Sequence, residues 1–270
     1  MGKLFLVSTP IGNLEDISYR AIRTLKEVDM VAAEDTRRTG ILLKKFDIKK
    51  PMISYHKFNE KKQVEKIITH LQEGNEVALV SDAGTPAISD PGYILVEKVI
   101  AEGFEVSAIP GPCAFISALA MSGLDTTSFT FFGFMPKQKG RKNEFIKEML
   151  EHNKTSVFYQ SPHDFSDTLE QIYKLQPNKK IVVVREITKV FEERKDGTAE
   201  ELLAYFCNGI KGEITMLLPK AEKKKPKLEE GAVMVKELVD DGRFLKEACK
   251  EVALNTGLSQ RDLYQHYIKK

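Results

Sequence analysis

At 270 residues the chain is long for a single core, and its 42% hydrophobic content excludes the disordered and fibrous classes. A formal net charge of +2 is small, so bulk charge does not announce a nucleic-acid binder; basic residues cluster only locally, at Arg37-Arg38, Lys44-Lys45, Lys49-Lys50, Lys61-Lys62 and 137–142, and such runs ordinarily mark solvated faces. Cys113, Cys207 and Cys249 lack metal-ligand spacing, no signal-peptide core is present, and no apolar stretch reaches the ~18 residues of a spanning helix, so a cytoplasmic protein without metal or membrane partner is expected.

Residues 4–7 read as an apolar strand that runs into Ser8-Thr9-Pro10-Ile11-Gly12-Asn13. Ser18 then caps a helix through Val28, on which Ala21, Ile22, Leu25 and Val28 recur at helical spacing. Met30–Ala33 is the second strand; it ends in Glu34-Asp35-Thr36-Arg37 and leads into a helix through Phe46. A short strand at 52–55 follows, then a helix faced by Val64, Ile67, Ile68 and Leu71 that ends near Gly74.

The apolar run 77–80 empties into Ser81-Asp82-Ala83-Gly84-Thr85-Pro86-Ala87-Ile88-Ser89-Asp90-Pro91-Gly92, and a helix follows over 94–101. A strand that opens into small residues and then a helix is where open α/β sheets hold their ligands. Gly84 can take a positive φ there, and small side chains let a ligand reach the backbone. A fifth strand, 106–109, runs into Pro110-Gly111-Pro112-Cys113-Ala114 and a buried helix within 109–124. Three such loops predict one composite pocket. The βα alternation predicts a mostly parallel sheet and a first domain over residues 1–124.

Strands are next expected at Phe129–Phe134, 156–159, Ile181–Arg185, 189–194 and Ile214–Leu218, with helices at 143–151, 164–175 and 199–207. Thr198 and Glu201 have the spacing of a capping box, and residues 190–197 suggest a hairpin or a turn into that helix. This region, 125–221, reads as a second α/β domain with a mixed sheet. Glu222-Lys223-Lys224-Lys225-Pro226-Lys227 is a charged, proline-broken linker that opens a helical tail over 222–270. In the tail, Phe244, Leu245, Ala248, Val252 and Ala253 share a face; a Gly257 turn and Ser259 then restart a helix bearing Leu263, Tyr264 and Tyr267. The pattern resembles a helix-turn-helix, either packed on the body or docking RNA.

The segments 9–13, Glu34-Asp35-Thr36-Arg37, 81–92, 110–114 and Arg185-Glu186-Ile187-Thr188-Lys189 resemble the tetrapyrrole methylase superfamily, over about residues 3–220. More narrowly, they resemble its RNA-modifying branch, which methylates a cytidine ribose 2′-hydroxyl in small-subunit ribosomal RNA. Pro10-Ile11-Gly12 replaces the Gly-x-Gly-like loop of the tetrapyrrole enzymes, and Gly84-Thr85-Pro86 replaces their Gly-Asp-Pro. The resemblance implies two α/β domains with an S-adenosylmethionine cleft between them, a small helical appendage, and a homodimer. By matching position it implies cofactor contacts from Pro10, Gly12, Asn13, Asp82, Ala83, Gly84, Thr85, Ile88, Ser89, Pro110, Gly111 and Pro112, joined from the second domain by Tyr159, Gln160, Ile214 and Thr215; Phe158 and Leu217 read as core.

Methyl transfer from a sulfonium to an oxygen needs alignment and a positioned base, the latter worth roughly 10²–10⁴-fold. Polar residues at strand ends supply the candidates: Glu34, Asp35, Arg37, Glu186, Lys189 and Glu193, with His56 and His163 behind them. Asp35, Arg37, Glu186 and Lys189 are expected on the acceptor side, with Arg37 steering phosphate. As a base, Lys189 requires a lowered pKa. The bland reading is that Glu34–Arg37 and Arg185–Lys189 form internal ion pairs. The partner expected is small-subunit RNA, free or in the assembled subunit. The alternatives are a methylase of a tetrapyrrole or other small substrate, such as a precorrin or diphthine-type enzyme, and a non-catalytic RNA-binding assembly protein.

Overall fold

The computed structural model describes residues 2–221 and 226–268, so Glu222-Lys223-Lys224-Lys225 of the expected linker lie outside it. Within it, residues 1–220 form one compact unit and residues 221–270 another.

The first unit opens with β1 (Lys3–Val7), α1 (Tyr19–Glu27), β2 (Met30–Ala33), α2 (Thr36–Lys45), β3 (Met52–Ser54), α3 (Glu60–Gln72), β4 (Glu76–Val80), α4 (Tyr93–Ala101), β5 (Glu105–Ile109) and α5 (Ala114–Met121). The five strands are all parallel, in the order β3-β2-β4-β1-β5. Strands buried on both faces read as unbroken apolar runs, and their period of two assigns each side chain to a face. Val31, Ala33, Ala78 and Val80 pack with Leu25 of α1 and Leu42 and Leu43 of α2. Ala32, Val77 and Leu79 pack oppositely, with Ile67 and Leu71 of α3 and Leu95 and Val99 of α4. Local capping agrees: the Ser18 hydroxyl accepts from Ala21 N–H and the Asp35 carboxylate from Arg37 N–H.

A second sheet follows from β6 (Phe129–Phe134), α6 (Lys139–Glu151), β7 (Thr155–Gln160), α7 (Phe165–Leu175), β8 (Ile181–Arg185), β9 (Glu193–Gly197), α8 (Ala199–Tyr205) and β10 (Ile214–Leu218). Its order is β6-β7-β10-β8-β9; β6 and β7 are parallel, and the other pairs are antiparallel. One face is covered by α6, α7 and α8 through Ile146, Met149, Leu169, Ile172 and Leu202. The other face, through Val157, Val182, Val184 and Leu217, takes Ala118 and Leu119 of α5 and Ile11 from the loop after β1. Chain from the first half thus covers the second sheet.

Two expectations need correction. The strand expected at 189–194 starts at Glu193, because Val190 and Phe191 are exposed at the tip of a 186–192 loop. β9 carries no apolar residue; it is held by its register on β8 and by the Arg185–Glu193 pair at 2.5 Å. Apolar pattern was therefore the wrong signal there. The 137–142 basic run is not one solvated face either, since Lys142 is buried and its ammonium bonds the Asp167 carboxylate and the Asp164 carbonyl.

Asp167→Asn would leave that ammonium with poor compensation. A loss of about 1–3 kcal/mol is expected in urea unfolding at pH 7, moderated because Asp167 itself is half exposed. Hydrogen bonding from Lys142 holds the Asp167 carboxyl below its ordinary range, so the contribution is present at neutral pH and is lost as pH falls through that lowered pKa. Lys142→Met should be near neutral, and equal stability of all three proteins would contradict this reading.

The second unit holds α9 (Leu228–Asp240), α10 (Leu245–Thr256) and α11 (Gln260–Ile268) around Val235, Ala248, Cys249, Val252 and Leu263. Gly257 ends α10 in the left-handed region at φ 71°, and the Ser259 hydroxyl accepts from Asp262 N–H, giving the stop and restart expected there. Phe244 is exposed rather than on the packed face, and α9 was not separately placed by the sequence pattern.

Candidate active site

All five strands of the first sheet point the same way, so the loops after β1, β2, β4 and β5 gather at one edge. Hydrogen bonds fasten them together. Thr9 and Gly84 exchange backbone bonds at 2.9 and 3.0 Å, and the Thr9 hydroxyl donates to the Ser81 carbonyl at 3.2 Å. The hydroxyls of Ser8 and Thr85 meet at 3.2 Å, and Thr85 reaches the Pro112 carbonyl at 3.5 Å. Gly84 sits at φ 85°, which glycine adopts without penalty, whereas Ala87 and Ser89 hold φ values of 67° and 61° despite their side chains.

Between this edge and the second sheet lies a cavity of about 420 Å³. Among the residues expected to hold a cofactor, Asp82, Ala83, Gly84, Thr85, Ile88, Ser89, Tyr159, Gln160, Ile214 and Thr215 line it. Pro10, Gly12, Asn13, Pro110, Gly111 and Pro112 do not line it, and several of them shape its walls. Asn13 accepts from Glu15 N–H, and a Cβ on Gly111 would come within 2.9 Å of Ser8 Cβ. At Gly12 a Cβ would meet Lys189 Cγ at 2.6 Å and Thr188 Oγ1 at 2.9 Å, so this glycine lets the β1 loop pack beneath the 186–189 turn. Phe158 and Leu217 are fully buried in the core.

Asp35, Arg37, Glu186 and Lys189 are not in the cavity wall. Asp35 grips the Arg37 guanidinium through bonds of 3.1 and 2.7 Å; these bonds hold its carboxyl well below the ordinary range and raise Arg37. The Arg37 side chain is 88% exposed. Lys189 bonds Glu186 at 2.9 Å and Glu213 at 3.1 Å. Burial works against its charge, but the two carboxylates outweigh burial and its pKa is raised. A neutral lysine base needs the opposite shift. Glu186 is lowered, first by the Glu213 N–H and then by Lys189. Glu193 is engaged by Arg185 and Tyr205, and neither His56 nor His163 lines the cavity.

The wall also contains Ile11, Arg38, Asp90, Cys113, Phe134, Gly212 and Glu213, which sequence reasoning passed over, and Glu34, which it had named only as a base. Asp90 was visible in the quoted 81–92 stretch, but Gly212 and Glu213 reach the cavity only through the tertiary fold. Asp82 accepts from Asp35 N–H at 3.0 Å and pairs with Arg38 at 3.3 Å. Burial pushes Asp90 up to about 6, the nearby Glu34 charge adds to this, and the Ser81 hydroxyl opposes it. Burial likewise raises Glu34, against the Asp82 N–H. It also raises the Cys113 thiol and the Tyr159 phenol, which therefore stay protonated at neutral pH. Four carboxylates thus face one guanidinium among apolar side chains, which suits an amphipathic cationic ligand. Among the described residues no group of three His, Cys, Asp or Glu side chains could hold a metal, and no helix is long and apolar enough to cross a membrane.

Comparison with known proteins agrees with this arrangement. Residues 3–203 match the family model described as Tetrapyrrole (Corrin/Porphyrin) Methylases. The chain is 44% identical to the ribosomal RNA small subunit methyltransferase I of Halalkalibacterium halodurans, over 98% of this chain and 94% of that protein. It is 47% identical to the protein of that name from Thermotoga maritima, over 81% of this chain and 98% of that one. Among solved structures, uroporphyrin-III-C-methyltransferase from Thermus thermophilus superposes with a TM-score of 0.58 at 18% identity, covering 80% and 94% of the two chains, and so shares the fold. The chain belongs to the tetrapyrrole (corrin/porphyrin) methylase family.

Proposed function

We propose that this chain is an S-adenosylmethionine-dependent methyltransferase whose acceptor is the ribose 2′-hydroxyl of a cytidine in small-subunit ribosomal RNA. The observation that carries the reading is near full-length likeness to proteins named ribosomal RNA small subunit methyltransferase I. The cavity fits the cofactor by its chemistry. When bound, S-adenosylmethionine supplies an activated methyl group on a sulfonium cation. Asp82, Glu34 and Glu213 favour a cation, Ile11, Ile88 and Ile214 offer apolar surface, and residues 83–85 present backbone held open by the Thr9–Gly84 bridge. Phe134 and Tyr159, whose rings lie 5.0 Å apart, add aromatic surface to the cavity from the second sheet.

Arg37 is suited to RNA rather than to the cofactor. Asp35 fixes its guanidinium on the first turn of α2, next to cavity-lining Arg38, and its side chain stays exposed to a phosphate. Arg37→Ala is expected to weaken RNA binding, to lower the salt slope of that binding by about 1, and to leave cofactor affinity unchanged. An unchanged RNA salt slope would remove Arg37 from the interface. A homodimer in cytoplasm is part of the same proposal, and light scattering tests the assembly.

The direct test is transfer of labelled methyl from S-adenosylmethionine to small ribosomal subunits, to free small-subunit RNA and to a tetrapyrrole. Alkali-resistant label in RNA is expected. Label in the tetrapyrrole alone would support the small-substrate reading, and cofactor binding with no transfer would support an assembly role.

A further inference from the structure

We propose that Asp90 is the general base that takes the proton from the acceptor hydroxyl, an assignment that rests on the ribose-methylation reading above. Asp90 lines the cavity from a loop held in an uncommon shape. Ala87, Ser89 and Gly92 around it have φ values of 67°, 61° and 144°. Non-glycine residues rarely adopt this region and persist there only where the surroundings enforce it. The Thr9–Gly84 bridge and the packing of Gly92 against Ala87 and Leu79 are such surroundings, and they keep the Asp90 side chain at the cavity instead of in solvent.

Elimination points to the same residue. Asp82 is occupied by Asp35 N–H and Arg38, and Glu213 pairs with Lys189. Asp35 is clamped by Arg37 outside the cavity wall, and Lys189 is a paired ammonium. Glu34 is tied to Asp82 N–H at 3.4 Å, at the base of the same loop. Asp90 alone among these carboxylates forms neither an ion pair nor a backbone contact of this kind, within the described residues. The charged and titratable groups around it are Glu34 from the turn after β2, Asp82 from the end of β4 with its partner Arg38 on α2, and Tyr159 from β7. A carboxylate raised to about 6 by burial is a stronger base than an ordinary one and still ionised at neutral pH.

The step balances. As the hydroxyl oxygen bonds to the methyl carbon, its proton passes to an Asp90 carboxylate oxygen, and the donor's carbon–sulfur bond breaks with its electron pair kept on sulfur as a neutral thioether. Asp90 then returns the proton to water.

Single-turnover methylation of small subunits by the full chain tests this. The parent rate should rise with pH through about 6 and level off above it. Asp90→Asn, nearly isosteric, should slow transfer by roughly 10²–10⁴-fold and remove that rise, with S-adenosylmethionine affinity by calorimetry within threefold of the parent. Asp90→Glu should restore part of the rate. A parent-like rate and pH profile in Asp90→Asn would overturn the assignment alone, as would a loss confined to cofactor affinity. A parent chain that leaves the subunit unmethylated would instead overturn the underlying reading, and the assignment with it.

Discussion

Gly84→Val is expected to weaken S-adenosylmethionine binding by roughly 100-fold, equivalent to about 3 kcal/mol, while the protein stays folded. The sequence alone points to small side chains in this loop that let a ligand reach the backbone. The structure gives a different reason. A Cβ at this position would meet Ile11 Cγ2 at 3.4 Å and Pro112 O at 3.8 Å, both ordinary contacts. The backbone, however, sits at φ 85°, where a β-branched residue is a genuine outlier. Valine therefore forces the turn to change shape and breaks the paired bonds with Thr9 that join two cavity loops. Calorimetry measures the affinity, and Gly84→Ala should lie between parent and valine. Parent-like affinity in both variants would move the cofactor away from this loop.

Gly212→Val should lower global stability by about 2–4 kcal/mol, through strain and a displaced ion-pair group together. Gly212 has φ 89°, and a Cβ there would overlap the Glu186 carboxylate. That carboxylate accepts from Glu213 N–H and from Lys189 Nζ, both at 2.9 Å. Displacing it releases Lys189 and shifts Gly212 and Glu213, which line the cavity, so cofactor affinity should fall as well. Chemical denaturation reads the first effect and calorimetry the second. A variant as stable as the parent would show that the 186–189 turn does not brace the site.

The fold was largely legible because its signals are local. Strands such as Met30–Ala33 and Ile214–Leu218 are short, wholly buried runs, and their apolar content marks them without tertiary information. Ser18 and Thr198 mark helix starts through hydroxyls that accept backbone N–H groups three residues on. β9 escaped because pairing with β8, and not hydrophobicity, makes it a strand. The site was legible only in part. The 81–92 loop announces itself by composition, whereas Arg38 faces the cavity and Arg37 faces solvent because α2 turns its successive residues to different sides. Two adjacent arginines look alike in sequence; only the helix phase separates them. The raised pKa of Asp90 depends on burial and on Glu34, which lies far from it in the chain.

The central claim is that the cavity serves methylation of a ribose in small-subunit RNA. Mapping 2′-O-methyl groups along that RNA, by resistance to alkaline cleavage, in cells with and without this gene tests it most directly. One cytidine should carry a ribose methyl in the parent cells, lose it when the gene is deleted, and regain it when the parent chain but not Gly84→Val is supplied. An identical ribose-methylation pattern in both strains would contradict the claim.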